Sequence, residues 1–119
     1  PGRYEYEIQA EMERIFRLRG GTGVAYPSIV ASGDNACILH YIENTRQMQD
    51  GDLLLIDAAC AYGYYNSDIT RTFPVNGKFT GEQKALYDIV LEAQKQALAQ
   101  VQPGNPYSAF HDTAVRVLT

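Results

Sequence analysis

The chain has 119 residues and a formal charge of −4 at pH 7, with 45% hydrophobic and 20% charged residues. That is room for one domain with a real core, and not for two. The mildly acidic balance argues against nucleic acid or an anionic membrane as partner, and no apolar run of about 18 residues is present to span a bilayer.

In chain order, Glu5 to Arg19 come first, with Ile8, Met12, Ile15, Phe16 and Leu18 at helical spacing and charges on the other face. No secretory leader pattern is read ahead of this helix. GGTG (Gly20 to Gly23) ends it and forms a loop; a phosphate-binding loop would need a strand before it and a helix after it. Ser28 to Ala31 and Cys37 to Tyr41 are short β-prone runs separated by the turn residues SGDN, which predicts a hairpin. MQDGDLLLIDAACAYGYYNSDITRTFPV reads as a second strand pair, entered through Asp50-Gly51 and turning at Tyr62-Gly63. The segment TGEQKALYDIVLEAQKQALAQVQPG is the clearest helix. Thr80 caps it and Gln83 completes a capping box. Leu86, Ile89, Val90, Ala93, Ala97 and Val101 form its buried stripe, and Pro103-Gly104 stop it. A last helix opens near Ser108, with Phe110, Ala114, Val117 and Leu118 on one face. The chain begins without an initiator Met and closes in AFHDTAVRVLT, a helical pattern with no stop signal, so it is expected to be a piece of a longer protein. Cys37 and Cys60 fit no metal or redox spacing, and are expected to be free buried thiols in a reducing, cytoplasmic setting.

The chemistry concentrates in LLLIDAACAYGYYNSDITRTF. Asp57 interrupts an apolar strand, and Asp68 follows the turn. A two-residue turn at Tyr62-Gly63 pairs Ala61 with Tyr64, and therefore Asp57 with Asp68, on one face with Cβ atoms about 4.5–5.5 Å apart. A one-residue slip would undo that pairing. Facing carboxylates repel, and a buried unpaired one is costly. A shared proton, a nearby arginine or a divalent cation would each relieve the conflict. Arg71, three residues after Asp68, points to the opposite face, which favours an oxygen-ligated metal. The bland reading leaves one aspartate solvated in a turn and the other at an edge. His40 closes the run CILHY, either as a structural histidine or as a donor to a substrate. His111 reads as a surface residue. Tyr62, Tyr64 and Tyr65 cover a sheet face or line a pocket.

IVASGDNACILHY, DGDLLLIDAACAYGYYNSDITRTFPVNGKFT and EQKALYDIVLEAQ closely resemble the bacterial Xaa-Pro aminopeptidase (aminopeptidase P) family of pita-bread metallopeptidases, from about Tyr4 to Pro103. The His, the Asp-to-Asp spacing of eleven and DITRTFPVNGKF carry the likeness. The resemblance implies an α/β fold, a curved antiparallel sheet covered by helices and built from two pseudo-symmetric halves. Residues 1–119 would be the first half of the catalytic domain, with the second half absent. It implies two divalent metals, manganese in this branch, held by two Asp, one His and two Glu and acting as Lewis acids. Asp57 and Asp68 match the two aspartates. His40 matches a catalytic histidine outside the metal shell that positions the substrate, and Tyr26 matches a site tyrosine in a substrate-binding role. The other three ligands match nothing in this chain. Ala59 stands where many relatives have Gly. The implied activity is hydrolysis of the bond between an N-terminal residue and a following proline. The partners expected are a peptide with proline at its second position and further copies of the full-length protein. Prolidase acting on dipeptides, and a non-catalytic peptide-binding module, are the competing readings.

Overall fold

The computed structural model describes Pro1–Thr119. The chain divides into two units, Pro1–Lys78 and Phe79–Thr119.

The first unit starts with helix α1 (Glu5–Leu18). Two three-stranded antiparallel sheets follow. One has the order β1 (Gly23–Val24), β4 (Cys60–Tyr62), β5 (Tyr65–Asn66); the other has the order β2 (Ile29–Ser32), β3 (Leu53–Ala58), β6 (Ile69–Pro74). Side chains alternate along β3. Leu54 and Ile56 join Val30 and Met48 in a core with Ile8 and Met12 of α1. Leu55 points the other way and packs with Ile29, Ala31, Ala36 and Tyr41. Asp57 is two residues beyond Leu55 and pairs with Ile29, so it shares that second face. Arg71 pairs with Ile56 and lies on the first.

The long hairpin changes sheet as it runs. Its outgoing arm leaves one sheet after Ala58 and enters the other at Cys60, through the fully buried Ala59. Its returning arm crosses back through Ser67 and Asp68, held by Ser67 N–H donating to the Cys60 carbonyl at 3.1 Å. The segment between β1 and β2 makes a third crossing and carries Tyr26.

Several local expectations change. No hairpin joins Ser28–Ala31 to Cys37–Tyr41. β2 pairs with β3, and Gly33–Cys37 forms a 3-10 helix leading into a turn with His40 at φ 56°. The outer edge of β2 is covered by side chains instead of a strand. Val30 N–H donates to Asn44 Oδ1 (3.1 Å), Ser32 N–H donates to Glu5 Oε1 (2.7 Å), and Asn44 Nδ2 donates to the Ser28 carbonyl (2.8 Å). An edge satisfied in this way has no ladder left to offer.

The second unit is a helical pair, α2 (Gly81–Leu98) and α3 (Ser108–Leu118). The capping box is present: Gln83 N–H donates to Thr80 Oγ1 at 3.2 Å, and Thr80 N–H to Gln83 Oε1 at 3.0 Å. The expected apolar stripe is only partly buried. Ala93 is 3% exposed, whereas Leu86 and Val90 are 67% and 58% exposed. A short α3 covers one narrow stripe of α2 and leaves the rest of a wider apolar face open. The helix also stops at Leu98, ahead of Val101 and Pro103. No helix is long and apolar enough to cross a membrane.

Candidate functional site

Three chain crossings at the junction of the two sheets bring Tyr26, Asp57 and Asp68 together. The Tyr26 hydroxyl lies 2.5 Å from Asp57 Oδ1 and 2.8 Å from Asp68 Oδ1. The two carboxylate oxygens are thus no further apart than the sum of those distances. Asp57 is half-buried and Asp68 exposed.

The convergence expected from the sequence is present, by a different register. The turn sits at Gly63-Tyr64, where both residues have positive φ (55° and 66°), as the tight hairpin turn matched to strand twist requires. Tyr62 therefore pairs with Tyr65 and Ala61 with Asn66. Further along the arms, Asp57 pairs with Thr70, not with Asp68. Asp68 stands just ahead of β6, where the arm changes sheet, and from there its carboxylate reaches the same hydroxyl. Tyr64 tolerates the left-handed conformation at a cost and points wholly into solvent; Tyr62 and Tyr65 are also exposed. These rings neither bury a sheet face nor enclose a pocket.

A phenol carries one proton, so at any moment it donates to one of the two carboxylates. Burial, then the hydrogen bonds and charges of Asp57 and Asp68, push the Tyr26 phenol well above its ordinary value. Tyr26 therefore keeps its proton and acts as a donor, with one hydroxyl between two carboxyl groups. Arg71 lies on the other face, with its guanidinium donating to the Thr70 carbonyl. Two hard carboxylate oxygens at short range, with no balancing arginine, are the donor chemistry of a divalent-cation site. They are not a complete one: no three His, Cys, Asp or Glu side chains of this chain are grouped to hold a metal ion.

His40 is not in hydrogen-bond contact with this trio. It is exposed, but its neighbour Tyr41 is buried on the sheet face that carries Asp57, packed near Ile29, the strand partner of Asp57. His111 lies exposed on α3. Of the two free thiols, Cys60 is half-buried, and Cys37 is exposed because its segment is a 3-10 turn and not an inner strand.

Glu5 is the residue that sequence reasoning missed. Placed first in an amphipathic helix, it reads as a surface acid near the positive end of the helix dipole. In the structure it is fully buried. Its Oε1 accepts from Ser32 N–H and Ser32 Oγ (both 2.7 Å) and from Asn35 Nδ2 (3.3 Å). Its Oε2 accepts from the Tyr41 hydroxyl (2.8 Å) and Arg46 N–H (3.0 Å). Burial alone would push this carboxyl up, but the bonds from Ser32, Tyr41 and Arg46 together hold it below the usual value of 4.5. The one available signal was Tyr41, whose hydroxyl in the apolar run CILHYI demands a buried partner.

The junction of the two sheets thus gathers two acids on one phenol. The chain belongs to metallopeptidase family M24, whose model matches residues 1–119. It is 50% identical to the Xaa-Pro aminopeptidase of Haemophilus influenzae over its whole length, which is 28% of that relative. It is 48% identical to the Xaa-Pro aminopeptidase of Escherichia coli over 118 residues, 27% of that relative. Among solved structures, it superposes on aminopeptidase PepP of Pseudomonas aeruginosa with a TM-score of 0.97 at 53% identity, covering 99% of this chain and 27% of that one. The match to a variant of Escherichia coli aminopeptidase P has a TM-score of 0.96 at 48% identity, with the same coverage. The α/β fold expected from the resemblance, part of the pita-bread architecture, is the fold present. The chain spans about a quarter of the length of the relatives it matches.

Proposed function

We propose that residues 1–119 are the first half of the catalytic domain of a metal-dependent Xaa-Pro aminopeptidase, and that Asp57 and Asp68 are two of its metal ligands. The observation that carries this is the convergence of both carboxylates on the Tyr26 hydroxyl, without an arginine to balance them. The high identity to Xaa-Pro aminopeptidases over the whole chain supports the same reading.

Each residue has a distinct task. Asp57 and Asp68 hold the cations through hard oxygen atoms. Tyr26 donates to a carboxylate oxygen and fixes its orientation, as hydrogen bonds behind a metal ligand do. His40, on the segment covering the same sheet face, hydrogen-bonds the substrate at the reacting carbonyl. When bound, two divalent ions, manganese in this reading, polarise the scissile carbonyl and acidify water. The substrate is a peptide with proline at its second position. The parent is a cytoplasmic homo-oligomer whose remaining ligands come from the second half of the domain.

The test uses the full-length protein and an X-Pro tripeptide beside the corresponding dipeptide. Manganese-dependent release of the first residue from the tripeptide is expected. Activity confined to the dipeptide would make the parent a prolidase, and metal-independent peptide binding without turnover would make it a binding module. His40→Ala should lower turnover while metal content stays near normal; a proportional loss of metal would place His40 among the ligands.

A further inference from the structure

We infer that Glu5 is a positioning residue for His40, acting through the segment that carries it; this rests on the reading of His40 as a substrate-contacting group. One carboxylate ties that segment down at its start, its middle and its end. At the start, Ser32 N–H and Oγ and Asn35 Nδ2 donate to Oε1. In the middle, the hydroxyl of Tyr41, the residue directly after His40, donates to Oε2. At the end, Arg46 N–H donates to Oε2, and Glu5 N–H donates back to the Arg46 carbonyl at 3.0 Å.

Asn44 and Arg46 anchor the later part of the segment, through Val30, Ser28 and Gln9 and through Ser32 and Asp52, but the stretch around His40 has little else to define it. The segment is not a strand, and it holds two non-glycine residues with positive φ, His40 (56°) and Asn44 (50°). Such conformations persist only where their surroundings over-determine them. Leu39 is 92% exposed and Ile38 and Ile42 are half-exposed, so apolar packing does not anchor the chain next to His40. Tyr41 does, with its ring against Ile29 and its hydroxyl on Glu5. Ile29 is the strand partner of Asp57. The contact that fixes His40 is thereby referenced to the strand that fixes the candidate ligand. Glu5 stands on α1, against the opposite face of the sheet, and does not need to touch substrate to set this geometry.

The experiment is a double-mutant cycle in the full-length, metal-loaded protein. Glu5→Gln should lower kcat about tenfold to a hundredfold, the scale of an ångström of misplacement at a catalytic group. KM and metal content should stay within about twofold of wild type, because the lost contact acts on the reacting carbonyl. In a His40→Ala background the same change should cost less than about twofold, since no imidazole remains to misplace. An equal loss in both backgrounds would show that Glu5 serves folding alone, and would overturn the inference. Should Glu5→Gln fail to fold, Tyr41→Phe removes one bond and leaves the carboxylate in place. It should lower kcat several-fold, again only when His40 is present, and an unchanged kcat overturns the inference. A His40→Ala enzyme with wild-type turnover is a separate outcome. It overturns the reading of His40 itself, and the positioning role of Glu5 with it.

Discussion

Two carboxylate sites flank the sheet formed by β2, β3 and β6, and they are built in opposite ways. Glu5 is one charge surrounded by donors, which reach it from Ser32, Asn35, Tyr41 and Arg46. Asp57 and Asp68 are two carboxyl groups that share one hydroxyl donor. The first is complete within this chain, and removing it would leave buried donors orphaned. The second is short of positive charge, as expected where a cation is to sit. The degree of satisfaction is what distinguishes the buried Glu5 from the proposed ligand pair.

The largest effect that would sharpen this contrast comes from Asp57. In the full-length protein, Asp57→Asn keeps the shape and removes one charge, and turnover of an X-Pro peptide should fall by more than about a thousandfold. Wild-type turnover in a steady-state assay would break the assignment.

Glu5 should differ in adding a loss of stability to its effect on turnover. Glu5→Gln should destabilise the protein by about 2–3 kcal/mol at neutral pH, from lost charge-assisted bonds and donors left unpaired. Because the folded carboxyl lies below 4.5, its contribution is fully present above that pH and is lost as the pH falls through the lower folded value. The difference between wild type and variant in denaturant melts should therefore be constant from neutral pH down to about 5, and shrink in acid. A difference that grew in acid would reverse the claimed direction.

Tyr26 comes next. Tyr26→Phe removes the shared donor and leaves both carboxylates in place, so metal affinity or turnover should drop about 10–100-fold, the range for groups that orient ligands. Affinity and turnover both at the wild-type level would mean that the hydroxyl only fills space. The smallest effect concerns the turn that sets the register. Tyr64 is a bulky residue at φ 66° with its ring in solvent. Tyr64→Asn should raise stability by about 0.5–1 kcal/mol in thermal melts, because Asn tolerates this conformation better. A loss of stability would indicate that the exposed ring makes a contact in the longer protein.

Much of this was legible from the sequence. The capping box of α2, the start of α3, the strand run through Asp57 and the opposed face of Arg71 all follow from spacing and local chemistry. The convergence of Asp57 and Asp68 was legible too, but the register behind it was not. Tyr-Gly and Gly-Tyr are equally plausible turns on paper, and only the backbone angles at Gly63 and Tyr64 decide. SGDN suggested a hairpin because turn residues between β-prone runs ordinarily make one. Here the strand partner was replaced by the side chains of Glu5 and Asn44, which sit far away in sequence. The role of Glu5 was hidden for the same reason: a burial created by tertiary contacts leaves no periodic trace. On α2, periodicity identified apolar positions correctly but could not say how many of them α3 would cover.

Titration of manganese into the metal-stripped full-length protein, alongside its Asp57→Asn and Asp68→Asn variants and the isolated 119-residue chain, tests the central claim most directly. Tight binding by the full-length protein is expected, with clear weakening in each variant and little or no binding by the isolated chain, because two carboxylates supply too few of the roughly six oxygens a hard cation takes. Unchanged affinity and stoichiometry in both variants, or tight stoichiometric binding by the isolated chain, would contradict it.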